Sequence, residues 1–535
     1  MRGTASLLVL AAVGCLREEA APPGGEITDE TDDSAASDTA GDGDTGDTNP
    51  DDTGTSCDVP CDTPSNASAA QVHSKLRYDR ERTADNALKG FLTSYTWGEP
   101  VSDLPDQLEF LYLPMKDLWD EGGATLETGL EPHLQAAADR GHHVIFRVYI
   151  DYPTLESGLP DYLADTVPCA VYEDHGGGCS PDYADEALLE AMTGLIEAMG
   201  ATYDGDPRLG FVQVGLLGFW GEWHTYPHTD WFPDEAVQDA VLETFETAFV
   251  TTQLQVRRPA ASSVARRIGF HDDSFAYSTL GDISWFFWPE IEAAGAGERW
   301  REVPIGGELR PELQTEVFSD DYETGTYAQD MDECIDQTHA TYLLNYVGYS
   351  GDGTGYEGVE LERAQQAALR MGYEFHLESA TLAVGGLLDD EVDAVASFDI
   401  AQTGVAPFYY PLHLVLSSDY LGEPITSGDD LSTLVPGETR TITVDLGRVP
   451  VSLLTSEVGV RLASSMLGEG QEVRFATESP WPTDVGDLAL AWAFSCVVGG
   501  VSYEPGVVVG THTDGCDCIC DVDGQIRTCD GRACE

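Results

Sequence analysis

Strand-like and helix-like patterns alternate along residues 85–371, and no other feature restricts the fold of this chain as strongly. Short apolar runs indicate buried strands, and longer segments with helical spacing of apolar residues indicate helices. Strands are predicted at 90–97, 108–114, 143–150, 211–219, 253–256, 268–271, 303–306 and 341–346, and helices at 126–140, 184–203, 234–252 and 359–371. This rhythm predicts an α/β fold, a TIM-like (β/α)8 barrel, with abbreviated fifth and sixth units. A doubly wound sheet is the competing fold.

The pattern changes near residue 373, where apolar and polar residues begin to alternate. Runs at 398–400, 412–416 and 441–444 alternate in this way, and the pairs at 427–428 and 436–437 are typical of turns. These features indicate a small antiparallel β-sandwich. We therefore expect a barrel at residues 76–375, a sandwich at 376–480 and a cysteine-rich tail at 481–535.

Residues 1–15 are typical of a secretion signal. Arg2 precedes a short apolar run at 7–13, which is far too short to span a bilayer. Small residues then lead into Cys15, and this order resembles a bacterial lipobox, although Ala12 stands where the motif prefers Leu. Cys15 is the predicted lipidation site, and an ordinary cleaved signal peptide is the alternative. We expect an exported protein anchored by lipid to the bacterial cell envelope, at the outer membrane or cell surface.

Residues 16–75 are rich in Asp, Thr, Gly and Ser and contain almost no large apolar residue. Such a segment cannot bury enough surface to fold, so a disordered acidic linker is predicted. The whole chain carries a formal net charge of −69. That charge argues against nucleic acid and anionic lipid as partners, because both carry the same sign. Membrane contact is therefore expected only through the lipid anchor.

Twelve cysteines in an exported chain indicate disulfides. Cys169 and Cys179 lie ten residues apart in a glycine-rich segment, and we expect them to pair. The tail cysteines at 516, 518, 520, 529 and 534, with one at 496, suggest a disulfide-rich tail of unknown connectivity, with zinc as an alternative. Cys334 has no obvious partner.

The functional side chains of a (β/α)8 barrel follow the C-terminal ends of its strands. In this sequence those positions are rich in carboxylates, basic groups and aromatic rings, a mixture that suits carbohydrate because rings stack on sugar C–H faces. The predicted substrate-binding residues are Arg147, Tyr149, Asp151, Trp220, Trp223, His224, Arg258, His271, Asp272 and Tyr346. Because Trp220 and Trp223 flank Glu222, we expect one ring at the barrel mouth and one in the core.

Glycoside hydrolysis needs two carboxyl groups beside one bond, and Glu222 and Glu308 are the predicted catalytic pair. They follow the fourth and seventh predicted strands, where many retaining glycosidase barrels hold these groups. We expect Glu222 to be the acid/base and Glu308 the nucleophile, with His271 and Arg258 as candidates for keeping Glu308 ionised. A non-catalytic carbohydrate-binding protein and an adhesive surface lipoprotein are the alternatives.

Residues 215–224, with the sequence GLLGFWGEWH, carry a resemblance to a bacterial family of unknown function. The segments 269–275, 303–308 and 341–346 also fit, and the similarity extends over about residues 85–480. The chain thus resembles proteins with the domain pair DUF4874 and DUF4832, which implies a glycosidase-like barrel followed by a β-domain. Gly221 departs from the best-known glycosidase barrels, which have Asn before the acid/base Glu.

No cofactor is expected for this chemistry. His224 and His228 have a spacing that suits metal ligands, but the sequence indicates no third ligand, and no metal site is predicted. The apolar run at 285–288 is interpreted as a hydrophobic loop rather than a sugar-binding platform.

Overall fold

The computed structural model describes residues 69–74, 76–98, 100, 104–347, 355–388, 391–478 and 487–492, together with strand segments at 496–498, 501–503, 508–511, 517–520 and 526–528. The predicted signal peptide, the lipidation site Cys15 and most of the predicted linker lie outside the described residues. So do Cys516, Cys529 and Cys534 of the tail, whereas Cys496, Cys518 and Cys520 lie in described strand segments and Cys518 is disulfide-bonded.

Eight parallel strands form one sheet in the order of a closed barrel. The strands are β1 (Gly90–Leu92), β2 (Leu108–Pro114), β3 (His143–Tyr149), β4 (Leu209–Gln213), β5 (Gln253–Val256), β6 (Gly269–Phe275), β7 (Ile305–Leu309) and β8 (Ala340–Leu344). Each strand pairs with the next along the chain, β8 pairs with β1, and a parallel bridge between Thr93 and Glu109 joins β1 to β2. The predicted (β/α)8 barrel is therefore confirmed, and the doubly wound alternative is excluded.

Eight helices accompany the barrel strands in the described part of the chain. They are α1 (Leu126–Gly129), α2 (Glu131–Ala138), α3 (Glu186–Tyr203), α4 (Glu235–Ala248), α5 (Ala261–Val264), α6 (Phe287–Ala293), α7 (Met331–Thr338) and α8 (Gly358–Arg370). Asp185 and Asp234 cap α3 and α4, because each carboxylate accepts hydrogen bonds from two backbone N–H groups of the first turn. The short α5 and α6 are the abbreviated fifth and sixth units that the sequence predicts.

One predicted strand is shorter than the sequence suggests. We expected a strand at 211–219, but β4 ends at Gln213. Leu216 and Gly218 then have φ angles of 68° and 79°, a left-handed conformation that cannot continue a strand. The apolar run 214–219 is buried because it folds back into the protein, not because it is extended.

The β-sandwich follows α8 and consists of two four-stranded antiparallel sheets. Its strands are β9 (Phe375–Leu388), β10 (Glu391–Gln402), β11 (His413–Ser417), β12 (Ile425–Thr426), β13 (Thr439–Pro450), β14 (Glu457–Ala463) and β15 (Leu488–Ala491). The N-terminal strand Ala69–Ser74 completes the first sheet beside β9, β10 and β13. The predicted linker boundary at 75 is therefore several residues too late, and the predicted sandwich boundary at 480 is too early.

The sandwich closes the N-terminal end of the barrel. The Tyr410 ring stacks on Phe211 inside β4 with 6.2 Å between ring centroids, and the backbone N–H of Gln253 donates to the Tyr410 hydroxyl at 3.1 Å. His143, at the start of β3, contacts the carbonyl of Met466 at 2.8 Å. These contacts leave the C-terminal end of the barrel as the face that is open to a ligand.

The predicted Cys169–Cys179 disulfide is confirmed. It joins the two strands of a hairpin, Cys169–Tyr172 and Gly178–Pro181, that lies over the barrel between β3 and α3. Cys334 is buried with a free thiol, as the lack of a partner predicted. Among the described helices, not one is both long enough and apolar enough to cross a bilayer.

Candidate active site

A layer of polar side chains crosses the interior of the barrel and supports the site from below. Arg147 on β3 donates through Nε to Gln213 on β4 at 2.8 Å, and Gln213 donates to the Tyr342 hydroxyl on β8 at 2.9 Å. Gly306 makes room for this layer, because a Cβ there would lie 2.4 Å from the Tyr342 ring. The layer fixes the Arg147 guanidinium group at the centre of the barrel.

Arg147 holds Glu222 in place. Its Nη1 donates to Glu222 Oε1 at 2.7 Å and to the Tyr112 hydroxyl at 3.0 Å. The Arg147 side chain is 2% exposed and that of Glu222 is 11% exposed, so water screens this ion pair weakly. A charge-assisted hydrogen bond of this kind fixes the orientation of the Glu222 carboxyl group.

The turn after β4 aims Glu222 back toward the barrel axis. Gly218 and Gly221 adopt φ angles of 79° and 70°, and a Cβ on Gly218 would lie 2.4 Å from the carbonyl oxygen of His224. Trp223 is buried, and its Nε1 donates to the Val214 carbonyl at 2.8 Å. The Trp220 ring is partly exposed and contacts Tyr152 at the mouth. The predicted division of the two Trp rings between core and mouth is thus observed.

Glu308 lies near the C-terminal end of β7 and keeps partial solvent exposure. Burial, together with the negative charges of Glu222 and Asp273, raises the pKa of its carboxyl group to about 8 against the opposing effect of Arg147. A carboxyl group with this pKa carries its proton at neutral pH. The site therefore pairs a protonated Glu308 with Glu222, whose carboxyl group is held by the Arg147 guanidinium group.

The raised pKa of Glu308 differs from one expectation from the sequence. We expected Glu308 to be the ionised member, with help from His271 and Arg258. Arg258 instead pairs with Glu290 at 2.9 Å. His271 is fully buried, and burial together with Arg147 and Arg257 lowers the pKa of its imidazole well below the ordinary value, so it stays neutral. Neither residue is available to hold a charge on Glu308.

A second ion pair borders the site on the side of β5 and β6. Arg257 Nη2 contacts Asp273 Oδ1, and although burial opposes ionisation, Arg257 lowers the pKa of the Asp273 carboxyl group. Glu222, His224 and Asp273 each bring one ligand atom to within 4.8 Å of the others, a grouping that could hold a divalent cation. The sequence did not indicate these partners for His224. His228, whose spacing from His224 suits metal ligands, pairs with Asp174 at 2.8 Å.

Two of the predicted carboxylates support loops. The Asp151 carboxylate accepts from the Tyr172 hydroxyl at 2.7 Å, and burial raises the pKa of this carboxyl group to about 6. Asp272 is fully buried and accepts from the Thr279 hydroxyl at 2.8 Å, and burial raises the pKa of its carboxyl group also to about 6. These residues lie beneath the mouth and position the segments that follow β3 and β6.

Aromatic rings line the mouth on the side of β1 to β3 and β8. Tyr112 stacks against Trp97 with 6.1 Å between ring centroids and meets Tyr152 edge to face at 5.7 Å. Tyr149 packs against Tyr152 at 5.1 Å, and Tyr346 meets Trp97 edge to face at 5.9 Å. The predicted residues Tyr149 and Tyr346 therefore belong to one continuous group of rings.

Sequence reasoning missed Tyr112, Gln213 and Trp97. The sequence of β2 did contain a signal for Tyr112. Alternate residues of a strand share one face, so Tyr112 lies on the same face as Leu108 and Phe110, and its hydroxyl at the strand end points to the mouth. The sequence contained no such signal for Gln213, because nothing about a residue inside a predicted strand indicates that its side chain will bind Arg147.

Fold and site together define a (β/α)8-barrel protein with a paired-carboxylate, aromatic-lined mouth. No protein-family model matches the chain, and no curated protein matches it.

Solved structures with partial likeness include the xylanase XynB from Paenibacillus barcinonensis, 12% identical, covering 52% of this chain and 91% of that chain with a TM-score of 0.28. A GH5-4 endoglucanase from an uncultured bacterium is 11% identical, with coverages of 55% and 97% and a TM-score of 0.32. A GH26 beta-mannanase from Bacteroides ovatus is 10% identical, with coverages of 54% and 90% and a TM-score of 0.28. At such low scores these likenesses carry no weight for the activity of this chain, and the barrel is defined by its own strand order.

Proposed function

We propose that this chain is a retaining glycoside hydrolase that uses Glu222 and Glu308. The observation that carries the proposal is a pair of carboxyl groups at the open end of the barrel, one hydrogen-bonded to an arginine and the other with a raised pKa. Arg147 donates to Glu222 at 2.7 Å, while the raised pKa of Glu308 keeps that group protonated. A proton donor beside an ionised carboxylate is the arrangement that glycosidic bond cleavage requires.

In the proposed reaction Glu222 attacks the anomeric carbon, and Glu308 transfers its proton to the departing glycosidic oxygen. The glycosidic C–O bond breaks as the ester bond to Glu222 forms. Glu308, now ionised, then takes a proton from a water molecule, whose oxygen attacks the anomeric carbon and releases Glu222. The high pKa of Glu308 suits both steps, because the group can release and regain a proton near neutral pH.

The surroundings of the pair support carbohydrate as the substrate class. Tyr112, Tyr152 and Trp220 present rings beside the carboxyl groups, and the partly exposed rings can stack on sugar faces. His224, 3.7 Å from Glu222, adds a polar group that can bind a hydroxyl. A concave site with rings and a few convergent polar groups is the usual form of a small-ligand pocket.

The test is a screen of aryl glycosides and soluble polysaccharides, followed by variants on any substrate that is hydrolysed. Glu222→Gln should abolish turnover of every substrate, because the nucleophile is lost. Glu308→Gln should abolish turnover of natural glycosides but retain the first step for a dinitrophenyl glycoside, whose leaving group needs no proton. The first product observed by NMR should keep the anomeric configuration of the substrate.

The half-exposed Glu312 lies four residues beyond Glu308, and Glu312→Gln is the matched control that should leave turnover unchanged. Full activity in both Glu222→Gln and Glu308→Gln would refute the proposed hydrolase. Inversion of configuration would refute the retaining mechanism. Binding of a glycan without any hydrolysis would favour the non-catalytic alternative.

We also propose that the enzyme is held at the cell envelope through lipidated Cys15 and that it belongs with proteins of the DUF4874 and DUF4832 type. The segment 215–224 supports the second proposal, because its glycines are required by the turn that positions Glu222. The sequence around Cys15 supports the first.

A further inference from the structure

Two loops on the open face of the barrel carry exposed aromatic rings that the proposed reaction does not use. Trp285 lies in the loop between β6 and α6, and Tyr327 lies in the loop between β7 and α7. Their exposed fractions are 42% and 43%, whereas the neighbouring Phe286 and Phe287 are buried. The prediction of a hydrophobic loop at 285–288 is therefore only partly correct, because Trp285 is exposed and α6 already begins at Phe287.

The exposed rings have similar orientations and form a row. The Trp285 and Tyr327 planes differ by 28° with centroids 6.5 Å apart, and the Tyr327 and Tyr277 planes differ by 36° with centroids 5.1 Å apart. Buried Phe286 supports the row from beneath, meeting Trp285 edge to face at 4.7 Å and Tyr327 at 5.6 Å. The row therefore presents a broad apolar strip to solvent.

The two loops are joined by hydrogen bonds that fix the row in position. Gln329 Oε1 accepts from the backbone N–H groups of Thr279 and Leu280 at 3.0 and 2.9 Å. Gln329 Nε2 donates to the Leu280 carbonyl at 2.7 Å, and its backbone N–H donates to Ala276 at 2.8 Å. A ligand that binds here meets a surface that is already ordered, which lowers the entropic cost of binding.

The row begins beside the catalytic pair. The Arg310 guanidinium lies 4.7 Å from the centre of the Tyr277 ring, and Arg310 follows Glu308 by two positions at the end of β7. Its Nη1 also donates to Ser274 on β6 at 3.1 Å. A chain-like ligand whose reacting bond lies at Glu308 can therefore continue over Tyr277 toward Tyr327 and Trp285.

A hollow of about 740 Å³ lies against the same two loops. Its lining combines apolar side chains with polar ones, among them Phe286, Asp282, Thr324, Thr326 and Gln329. A hydroxyl-rich ligand can satisfy such polar groups, whereas an apolar ligand would leave them unpaired.

The charges of the protein indicate which class of hydroxyl-rich ligand binds here. The mouth arginines are each paired with an acidic side chain, in the pairs Arg147–Glu222, Arg257–Asp273, Arg258–Glu290 and Arg310–Glu312. The chain as a whole has a formal charge of −69, which repels polyanions. An uncharged glycan fits both facts, because it needs no unpaired cation and meets no repulsion.

We propose that Trp285 and Tyr327 form a distal subsite for an uncharged polysaccharide chain. The inference rests on the proposed function for the position of the cleaved bond at Glu222 and Glu308. The enzyme thus acts on a polymer that extends beyond the reacting bond, and the row of rings binds the part of the polymer that lies away from that bond.

Affinity electrophoresis tests the subsite without requiring turnover. The neutral probes are mixed-linkage β-glucan, arabinoxylan, galactomannan and soluble starch, and the acidic probes are polygalacturonate and alginate. We expect at least one neutral polymer to retard the full chain and neither acidic polymer to do so. Trp285→Ala and Tyr327→Ala should each raise the dissociation constant about tenfold. Tyr420→Ala removes a ring of similar exposure, 45%, from the sandwich and should have no effect.

Three results would overturn the subsite: no retardation by any neutral polymer, retardation by acidic polymers alone, or equal retardation of the wild type and both ring variants. A separate measurement follows hydrolysis of a short aryl glycoside, on which Trp285→Ala should keep the wild-type rate. Ring-dependent binding without hydrolysis of any substrate would refute the proposed hydrolase and leave the subsite standing.

Discussion

Arg147 on the third barrel strand donates a 2.7 Å hydrogen bond to Glu222, which lies on an irregular turn beyond the fourth strand. The same side chain donates to Gln213, so the position of Glu222 depends on a polar layer inside the barrel rather than on β4 itself. This explains how a carboxylate outside any strand can be held near Glu308.

Replacement of Arg147 should lower the free energy of unfolding, because Glu222 then lacks its ion-pair partner. In Arg147→Met the Glu222 carboxylate remains 11% exposed without its cation, and breaking such a buried pair costs about 3–5 kcal/mol. We expect the free energy of unfolding in urea at pH 7 to fall by this amount. A loss below about 1 kcal/mol would contradict the role given to the ion pair.

Arg258→Met is the matched control for that measurement. Arg258 forms a similar pair with Glu290, but its side chain is 39% exposed, and ion pairs at this exposure contribute only about 0–1 kcal/mol. The two variants remove the same chemical group, so the difference between them isolates the effect of burial.

Glu308 should make the stability of the protein depend on pH in a defined window. Its pKa is raised from 4.5 to about 8 on folding. The folded state therefore keeps a proton that the unfolded state loses between these values, so this contribution is fully present below about pH 4.5 and is lost as pH rises through 8. We expect a decline on the order of 3 kcal/mol, since partial exposure moderates the shift.

Urea denaturation at pH 5, 6.5 and 8 can measure this decline in the wild type and in Glu308→Gln. The variant has no proton to lose, so the difference in unfolding free energy between the two proteins should change with pH across the window. Parallel curves for the wild type and Glu308→Gln would show that Glu308 is ionised in the folded protein at neutral pH.

The barrel was predictable because its signals are local. The run that became β3 is mostly apolar and is buried along its whole length, and α3 is capped by Asp185, a residue type that favours helix starts. The turn holding Glu222 was not predictable, because its apolar residues are buried by an irregular path, and strand periodicity cannot distinguish this path from a strand. The protonation of Glu308 depends on the three-dimensional neighbours Glu222, Asp273 and Arg147, which sequence order does not reveal.

Membrane attachment should depend on Cys15. Acyl chains on this residue would supply the apolar surface that binds the bilayer, since the net charge of −69 opposes attraction to anionic lipid. Cys15→Ala should move the protein from the membrane fraction to the soluble fraction of the expressing cells. Cys334→Ala is the control, because its buried free thiol cannot carry an anchor, and should leave the fractionation unchanged. Membrane retention of the Cys15→Ala protein would contradict lipidation at this residue.

Gly218 should be the residue in the turn that tolerates substitution least. Its φ is 79°, and a Cβ would lie 2.4 Å from the backbone carbonyl oxygen of His224, so Gly218→Ala combines left-handed strain with a clash that no side-chain movement relieves. We expect a loss of about 3 kcal/mol or more in unfolding free energy, or loss of turnover if the turn shifts and carries Glu222 away from Arg147. Gly437→Ala separates the two effects, because Gly437 has a φ of 84° but open space around its Cβ position, and it should lose only about 1 kcal/mol. Equal losses in the two variants would mean that the close approach of Gly218 to His224 does not constrain the turn.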